Sequence, residues 1–112
     1  MNESNTKTLV TRYPGLYDKH FIFECGDGWF DLIDNLSRAI CGKAVAAQVK
    51  QKYGTLRFYC DEETSSVRFD IEDAERESET TCEVCGEPGT LRGSHWLSVS
   101  CDDCIRTDAY AR

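Results

Sequence analysis

Ala44-Val45-Ala46-Ala47-Gln48-Val49-Lys50-Gln51-Lys52-Tyr53-Gly54-Thr55-Leu56-Arg57-Phe58-Tyr59-Cys60 is the stretch in which the hydrophobic period becomes two, and it decides the fold class. Val45, Ala47 and Val49 point one way and Gln48 and Lys50 the other, the alternation of a half-buried strand. Lys52-Tyr53-Gly54 carries turn chemistry. Beyond it Leu56, Phe58 and Cys60 face the core while Arg57 and Tyr59 face out, so residues 44–60 read as an antiparallel hairpin.

Upstream the period is 3.6. Trp29, Ile33, Leu36 and Ile40 form a helical stripe that Leu32 widens, with Asp27-Gly28 as its cap. Cys41-Gly42 stops the helix, and Gly42 suits a left-handed C-terminal cap. Tyr13-Pro14-Gly15 is a turn. Residues 1–10, polar and unpatterned, read as a flexible tail. Downstream of the hairpin a second helix is expected from Ser65 or Ser66 to Glu79. Its apolar seam is Val67, Ile71, Ala74 and Ser78, and Asp70, Glu72, Asp73, Glu75, Glu77 and Glu79 occupy its remaining faces. The expected class is α+β: helix, antiparallel hairpin and acidic helix within residues 11–80, then a cysteine module over residues 81–112 packed on them.

Cys82-Glu83-Val84-Cys85 and Cys101-Asp102-Asp103-Cys104 define that module as C-x2-C-x15-C-x2-C, the spacing of a structural zinc site. Two intervening residues let both sulfurs of a pair reach one metal from a tight turn, for which Gly86 supplies permissive backbone. Between the pairs, Thr90-Leu91-Arg92, a Gly93-Ser94 turn and His95 to Val99 read as a short hairpin. The last pair opens a short helix with Asp102 and Asp103 in its first turn, where the helix dipole favours acids. Knuckle, hairpin and helix around one zinc make a zinc-ribbon or treble-clef-like unit. The alternatives are two redox dithiols or an iron–sulfur cluster, and neither has supporting context. Four thiolates complete the metal shell, so the expected zinc is structural, contributing folding energy rather than an open position for water.

Seven cysteines is an odd number, which a fully paired disulfide framework does not explain. With no export signal at the N-terminus and no apolar run of the ~20 residues that span a bilayer, the reducing bacterial cytoplasm is the expected compartment. Cys25, Cys41 and Cys60 are then expected as buried free thiols, in preference to a second metal site with His20. The 112-residue chain has a formal charge of −7, and one zinc held by four thiolates takes it to −9. That balance argues against a general polyphosphate binder. The charge is segregated: residues 61–87 hold 11 acids and only two bases, Arg68 and Arg76, while residues 1–60 are net +2.

A dense acidic face is ordinarily a solvated helix surface, but it also suits a partner with a basic surface. Lys50, Lys52 and Arg57, interleaved with Tyr53 and Tyr59, form a basic and aromatic pattern on the outer face of the hairpin, so Lys50, Lys52, Arg57 and Tyr59 are candidate nucleic-acid contacts. Trp96 is expected to pack on the zinc module, and His95 to be a surface residue of its hairpin. A treble-clef nuclease needs a longer insertion and a second histidine or asparagine, which this loop lacks. No carboxylate pair, activated nucleophile or phosphate loop appears, so an enzyme is not expected.

Gly28-Trp29-Phe30, the run from Gln48 to Tyr59, and Cys82-Glu83-Val84-Cys85-Gly86-Glu87-Pro88-Gly89 together resemble a family of small uncharacterised bacterial and bacteriophage proteins over residues 28–104. The resemblance implies a phage or prophage accessory gene. The chain is more loosely similar to zinc-finger regulators of bacterial RNA polymerase, which also join an acidic helix to a four-cysteine finger; it departs from them in carrying a strand hairpin where they have a long helical one. The expected function is a non-enzymatic zinc-binding accessory protein whose acidic face engages a host protein, such as a defence or nucleic-acid-binding complex that it inhibits. The alternative is a nucleic-acid-binding zinc module or a polymerase-associated transcription regulator. No membrane role is expected.

Overall fold

The computed structural model of the chain describes residues 1–107, so the end of the module expected over residues 81–112 lies outside the described residues. A three-stranded sheet is the platform, ordered β1 (Phe23–Glu24), β2 (Ala46–Lys52), β3 (Thr55–Cys60). β1 runs parallel to β2, and β2 and β3 form the antiparallel hairpin. Phe23, Val49 and Phe58 align across the three strands and are all buried, which fixes the face turned to the core. The next row out, Glu24, Lys50 and Arg57, faces the other way because successive side chains alternate.

The first half of β2 departs from the simple alternation. Ala46, not Val45 or Ala47, is buried, and Val45 is 50% exposed. Pairing shifts between Ala46 and Gln48, so Ala47 is an extra residue and the side-chain phase slips by one. The bulge restores Val49 to the core and strands Val45 outside it.

Helix α1 (Glu3–Arg12) replaces the expected tail. The Asn2 side chain accepts the Asn5 backbone N–H at 2.7 Å, and Leu9 is fully buried. Asp27 holds this helix: its Oδ1 accepts from Asn2 N–H at 2.8 Å and from Asn5 Nδ2 at 3.1 Å. Asp27 is therefore not the cap of the next helix. A 3-10 turn (Asp27–Trp29) leads into α2 (Phe30–Ile40), whose stripe Leu32, Ile33, Leu36 and Ile40 is buried as its spacing predicts. Gly42 follows with φ of 84°.

Helix α3 (Ser65–Ser78) starts from a Thr64 cap and buries Val67, Ile71, Ala74 and Ser78, the full predicted seam. It packs on α2 and on β3. Along the open edge of β3 three side chains accept the backbone N–H groups that no strand pairs: Ser78 Oγ from Leu56 at 2.9 Å, Glu75 Oε2 from Phe58 at 3.1 Å, and Glu63 Oε2 from Cys60 at 3.3 Å. An unpaired strand edge is a template for aggregation, and here it is covered. The core joins Trp29, Tyr17, Leu16, Leu56 and Phe58 to the helical residues, each full burial contributing roughly 1.5–3 kcal/mol.

Candidate metal centre

Cys82 opens the C-terminal module. Its N–H donates to Glu87 O at 2.7 Å and its carbonyl accepts from Gly86 N–H at 2.9 Å, closing a knuckle that presents Cys82 and Cys85 together. Strands β4 (Thr90–Arg92) and β5 (Ser98–Ser100) form the expected hairpin and bring the chain back. Cys101 directly precedes α4 (Asp102–Thr107), which carries Cys104. The Cys104 N–H donates to Cys101 Sγ at 3.4 Å, and Arg92 Nη2 pairs with Asp102 at 2.7 Å, tying hairpin to helix.

The four sulfurs lie within 4.8 Å of one another, and Cys85 and Cys101 are 3.6 Å apart. A tetrahedral metal with bonds of about 2.3 Å sets its sulfurs about 3.8 Å apart, so the donor set fits one metal ion. Burial pushes the Cys82 thiol up, but the backbone N–H groups of Cys85, Cys101 and Val84 outweigh it and bring it below the ordinary thiol value, while burial and the neighbouring cysteines hold the Cys104 thiol above it. Amide donors aimed at a sulfur favour the thiolate, the form that binds metal.

The centre is fastened to the α+β scaffold through the turn before α2. Gly28 N–H donates to Glu83 O at 2.7 Å, Gly26 N–H to Glu83 Oε2 at 2.8 Å, and Trp29 Nε1 to Thr81 O at 2.9 Å. A Cβ on Gly28 would stand 2.1 Å from Cys82 O and 2.6 Å from Gly86 N, so only glycine lets the two backbones approach. At the other end of the module, Leu91 and Leu97 lie against Gly54 in the β2–β3 turn. The stretches around Gly28, Gly54 and Cys82 thus meet around the cysteine module.

The other expected site residues divide. Of the acidic set, Glu75 is bound to the β3 edge, and Arg68 pairs with Glu63 at 2.9 Å, Glu75 at 3.3 Å and Glu72 at 3.4 Å. Arg76 pairs with Asp73 at 2.8 Å. Asp70, Glu77 and Glu79 make no ion pair among the described residues. Asp70, Asp73 and Glu77 line a shallow groove with Asn35, Leu36 and Ala39 of α2. Lys50, Lys52, Arg57 and Tyr59 do come together: Lys50 faces Arg57 across the hairpin, with Lys52 and Tyr59 two residues along their strands.

Trp96 does not pack on the module; it is 71% exposed, because the loop between β4 and β5 turns it outward. His95 and His20 are exposed. Cys25 is a core thiol pushed up to about 12, first by burial and then by the Glu83 charge, and Cys60, half-buried, is pushed up to about 11 by burial and by Glu63 and Asp61. Cys41 is exposed rather than buried, since the helix ends as it leaves the core. Among the described residues no second group of metal-ligating side chains assembles around these thiols and His20. No helix among the described residues is long and apolar enough to cross a membrane.

Comparisons of the chain with protein-family models, with curated proteins and with solved structures give no match.

Proposed function

We propose that the four cysteines hold one structural Zn2+ in a treble-clef-like unit, and that the protein is a non-enzymatic accessory factor which docks on a basic host protein through α3. Zinc is the metal that four thiolates at this spacing select, and a closed sulfur shell offers no position for a reacting water. A phage or prophage origin and a bacterial cytoplasmic setting accompany this reading, on the strength of the resemblance and of thiols that must stay reduced.

The observation that carries the docking surface is the distribution of ion pairs along α3. Arg68 gathers Glu63, Glu72 and Glu75 toward the sheet edge, which leaves Asp70, Glu77 and Glu79 without an ion-pair partner among the described residues and sets Asp70 and Glu77 beside Asp73 along one groove. Acids left uncompensated at the rim of a groove favour a partner that brings Lys or Arg to it. Because Glu75 is part of the fold, the test leaves it alone. Asp70→Asn, Asp73→Asn, Glu77→Gln and Glu79→Gln are combined, and tagged wild-type and variant proteins are compared in capture from nuclease-treated host lysate. A protein captured by the wild type and lost with the variant, at unchanged thermal stability, is the expected result. Equal capture by both sinks the assignment of this face.

A further inference from the structure

Tyr53 breaks a local rule. It sits at the tip of the β2–β3 hairpin with φ of 54°, followed by Gly54 at 86°. Left-handed backbone at both central residues is the type I′ turn, which Asn or Asp satisfies at its first position at less cost than an aromatic residue. The ring is not compensated by the core, since Tyr53 is 68% exposed. Strain kept at an exposed aromatic position is a mark of a functional surface. Opposite it stands the outward-turned Trp96. The two residues line one cleft of about 420 Å³ with Gln51, Lys52, His95 and Leu97. Contact of Gly54 with Leu91 and Leu97 fixes the two walls relative to each other.

Lys52, in the wall of the cleft, is the near end of a row of cations on the outer face of the hairpin. Lys52 Nζ lies 5.6 Å from the centre of the Tyr53 ring. Two residues back along β2, about 7 Å away at strand rise, Lys50 faces Arg57, and Tyr59 follows on the same outer face. In a protein of charge −7, none of Lys50, Lys52 and Arg57 has an ion-pair partner among the described residues. Glu24, level with Lys50, accepts instead from Gln48 Nε2 at 3.3 Å. Arg57 Nε is shielded from solvent and has no hydrogen-bond partner. The apolar seam of α3 packs into the core on the other side of the sheet, with Glu75 at the β3 edge and Asp70, Asp73 and Glu77 along the α2 groove, and fields between exposed charges are screened over ~8 Å at physiological salt.

We propose that this face binds single-stranded nucleic acid. An unpaired base enters between Tyr53 and Trp96, and the adjoining phosphates run over Lys52, Lys50 and Arg57 toward Tyr59. Stacking needs a base with a free π-face, which a duplex does not present, and the row of unpaired cations supplies the charge complement. This surface is separate from the α3 groove, so the two assignments stand or fall independently.

The test uses the zinc-loaded protein with fluorescein-labelled dT and U oligomers of about ten nucleotides, read by anisotropy from about 50 to 200 mM salt. Binding in the micromolar range is expected, with log K falling against log salt at a slope of about −2, since roughly three neutralised phosphates each contribute about −0.7. Trp96 emission is quenched on binding, whereas the fully buried Trp29 is a constant background. Tyr53→Asn suits the turn better, so it is expected to keep or raise thermal stability while weakening binding roughly tenfold. Trp96→Ala has a similar effect, and Lys50→Ala with Lys52→Ala flattens the salt slope by about 1.4. Binding of either oligomer with these losses supports the site. No binding at about 50 mM salt, equal affinity for duplex, or binding that Tyr53→Asn and Trp96→Ala leave intact overturns it.

Discussion

Glu75 Oε2 accepts the backbone N–H of Phe58 at 3.1 Å, so a residue that looks like part of an acidic surface is a fitting on the edge of the sheet. Its other oxygen pairs with Arg68 at 3.3 Å, and the same arginine reaches Glu63, which accepts from Cys60 N–H. Two of the acids in the most acidic segment therefore stand in for a missing fourth strand, and Arg68 neutralises the charge this concentrates. Ser78 completes the row at Leu56.

Removing these acceptors should cost stability that removing the outer acids does not. Ser78→Ala orphans the buried Leu56 N–H and is expected to destabilise by about 1–3 kcal/mol. Glu75→Ala is expected to lose about 1–2 kcal/mol for the same reason. Glu79→Gln, exposed and without an ion pair among the described residues, should stay within about 0.5 kcal/mol of wild type. Urea unfolding of the three variants checks the order.

Metal binding should be inseparable from the fold of residues 80–107. One Zn2+ per chain is expected by elemental analysis, with a folding contribution on the order of 10 kcal/mol. Chelation, or Cys82→Ser, should release the docking of Glu83 on Gly26 and Gly28. Trp29 reports the event, because its Nε1 bonds Thr81 O beside Cys82. An unchanged near-ultraviolet spectrum after complete zinc removal contradicts this coupling.

Gly28→Ala tests the seam from the other side. Its Cβ would fall 2.1 Å from Cys82 O, a backbone atom that cannot rotate away, so the module and the scaffold must separate. A loss of about 3 kcal/mol is expected, accompanied by faster reaction of the four thiols with a thiol reagent. Gly15→Ala, with nothing within 4 Å of its Cβ, is the control.

Asp34 sets a pH dependence. Burial pushes its carboxyl up, but the Tyr13 hydroxyl at 2.7 Å and the guanidinium groups of Arg12 at 3.1 Å and Arg38 at 3.2 Å outweigh this and hold it below the ordinary carboxylate range. A depressed folded-state pKa gives stability that is fully present above the unfolded value of about 3.9 and is lost as pH falls through the folded one. Asp34→Asn should therefore be less stable than wild type by about 1–2 kcal/mol at neutral pH. The gap should close as the pH falls through the folded-state pKa, below the ordinary carboxylate value. A gap that persists in acid would falsify the assignment of the effect to this carboxylate.

Periodicity was enough to find the helix at 30–40, the hairpin at 46–60 and the whole buried seam of α3, because each of these elements buries one continuous face. It was not enough at Val45, where one inserted residue shifts the phase, nor in α1, which buries Leu9 but has no stripe. The cap at Asn2 was present in the sequence, yet its anchor, Asp27, is 25 residues away. Of the site, the four cysteines were fully legible, since ligand spacing is a local property. The exposure of Trp96 and the duty of Glu75 were not, since each depends on what lies opposite in space.

By itself the sequence determined an α+β chain with four thiols spaced to close on one metal, because helix, strand and C-x-x-C turns are short-range arrangements of neighbouring residues. Tertiary structure alone decided which acids are fittings and which are free, that Gly28 and Gly86 must touch, and that Tyr53 and Trp96 share a cleft. Gly28 and Gly86, and Tyr53 and Trp96, are more than 40 positions apart, and their register is set by packing of the whole core rather than by any local preference.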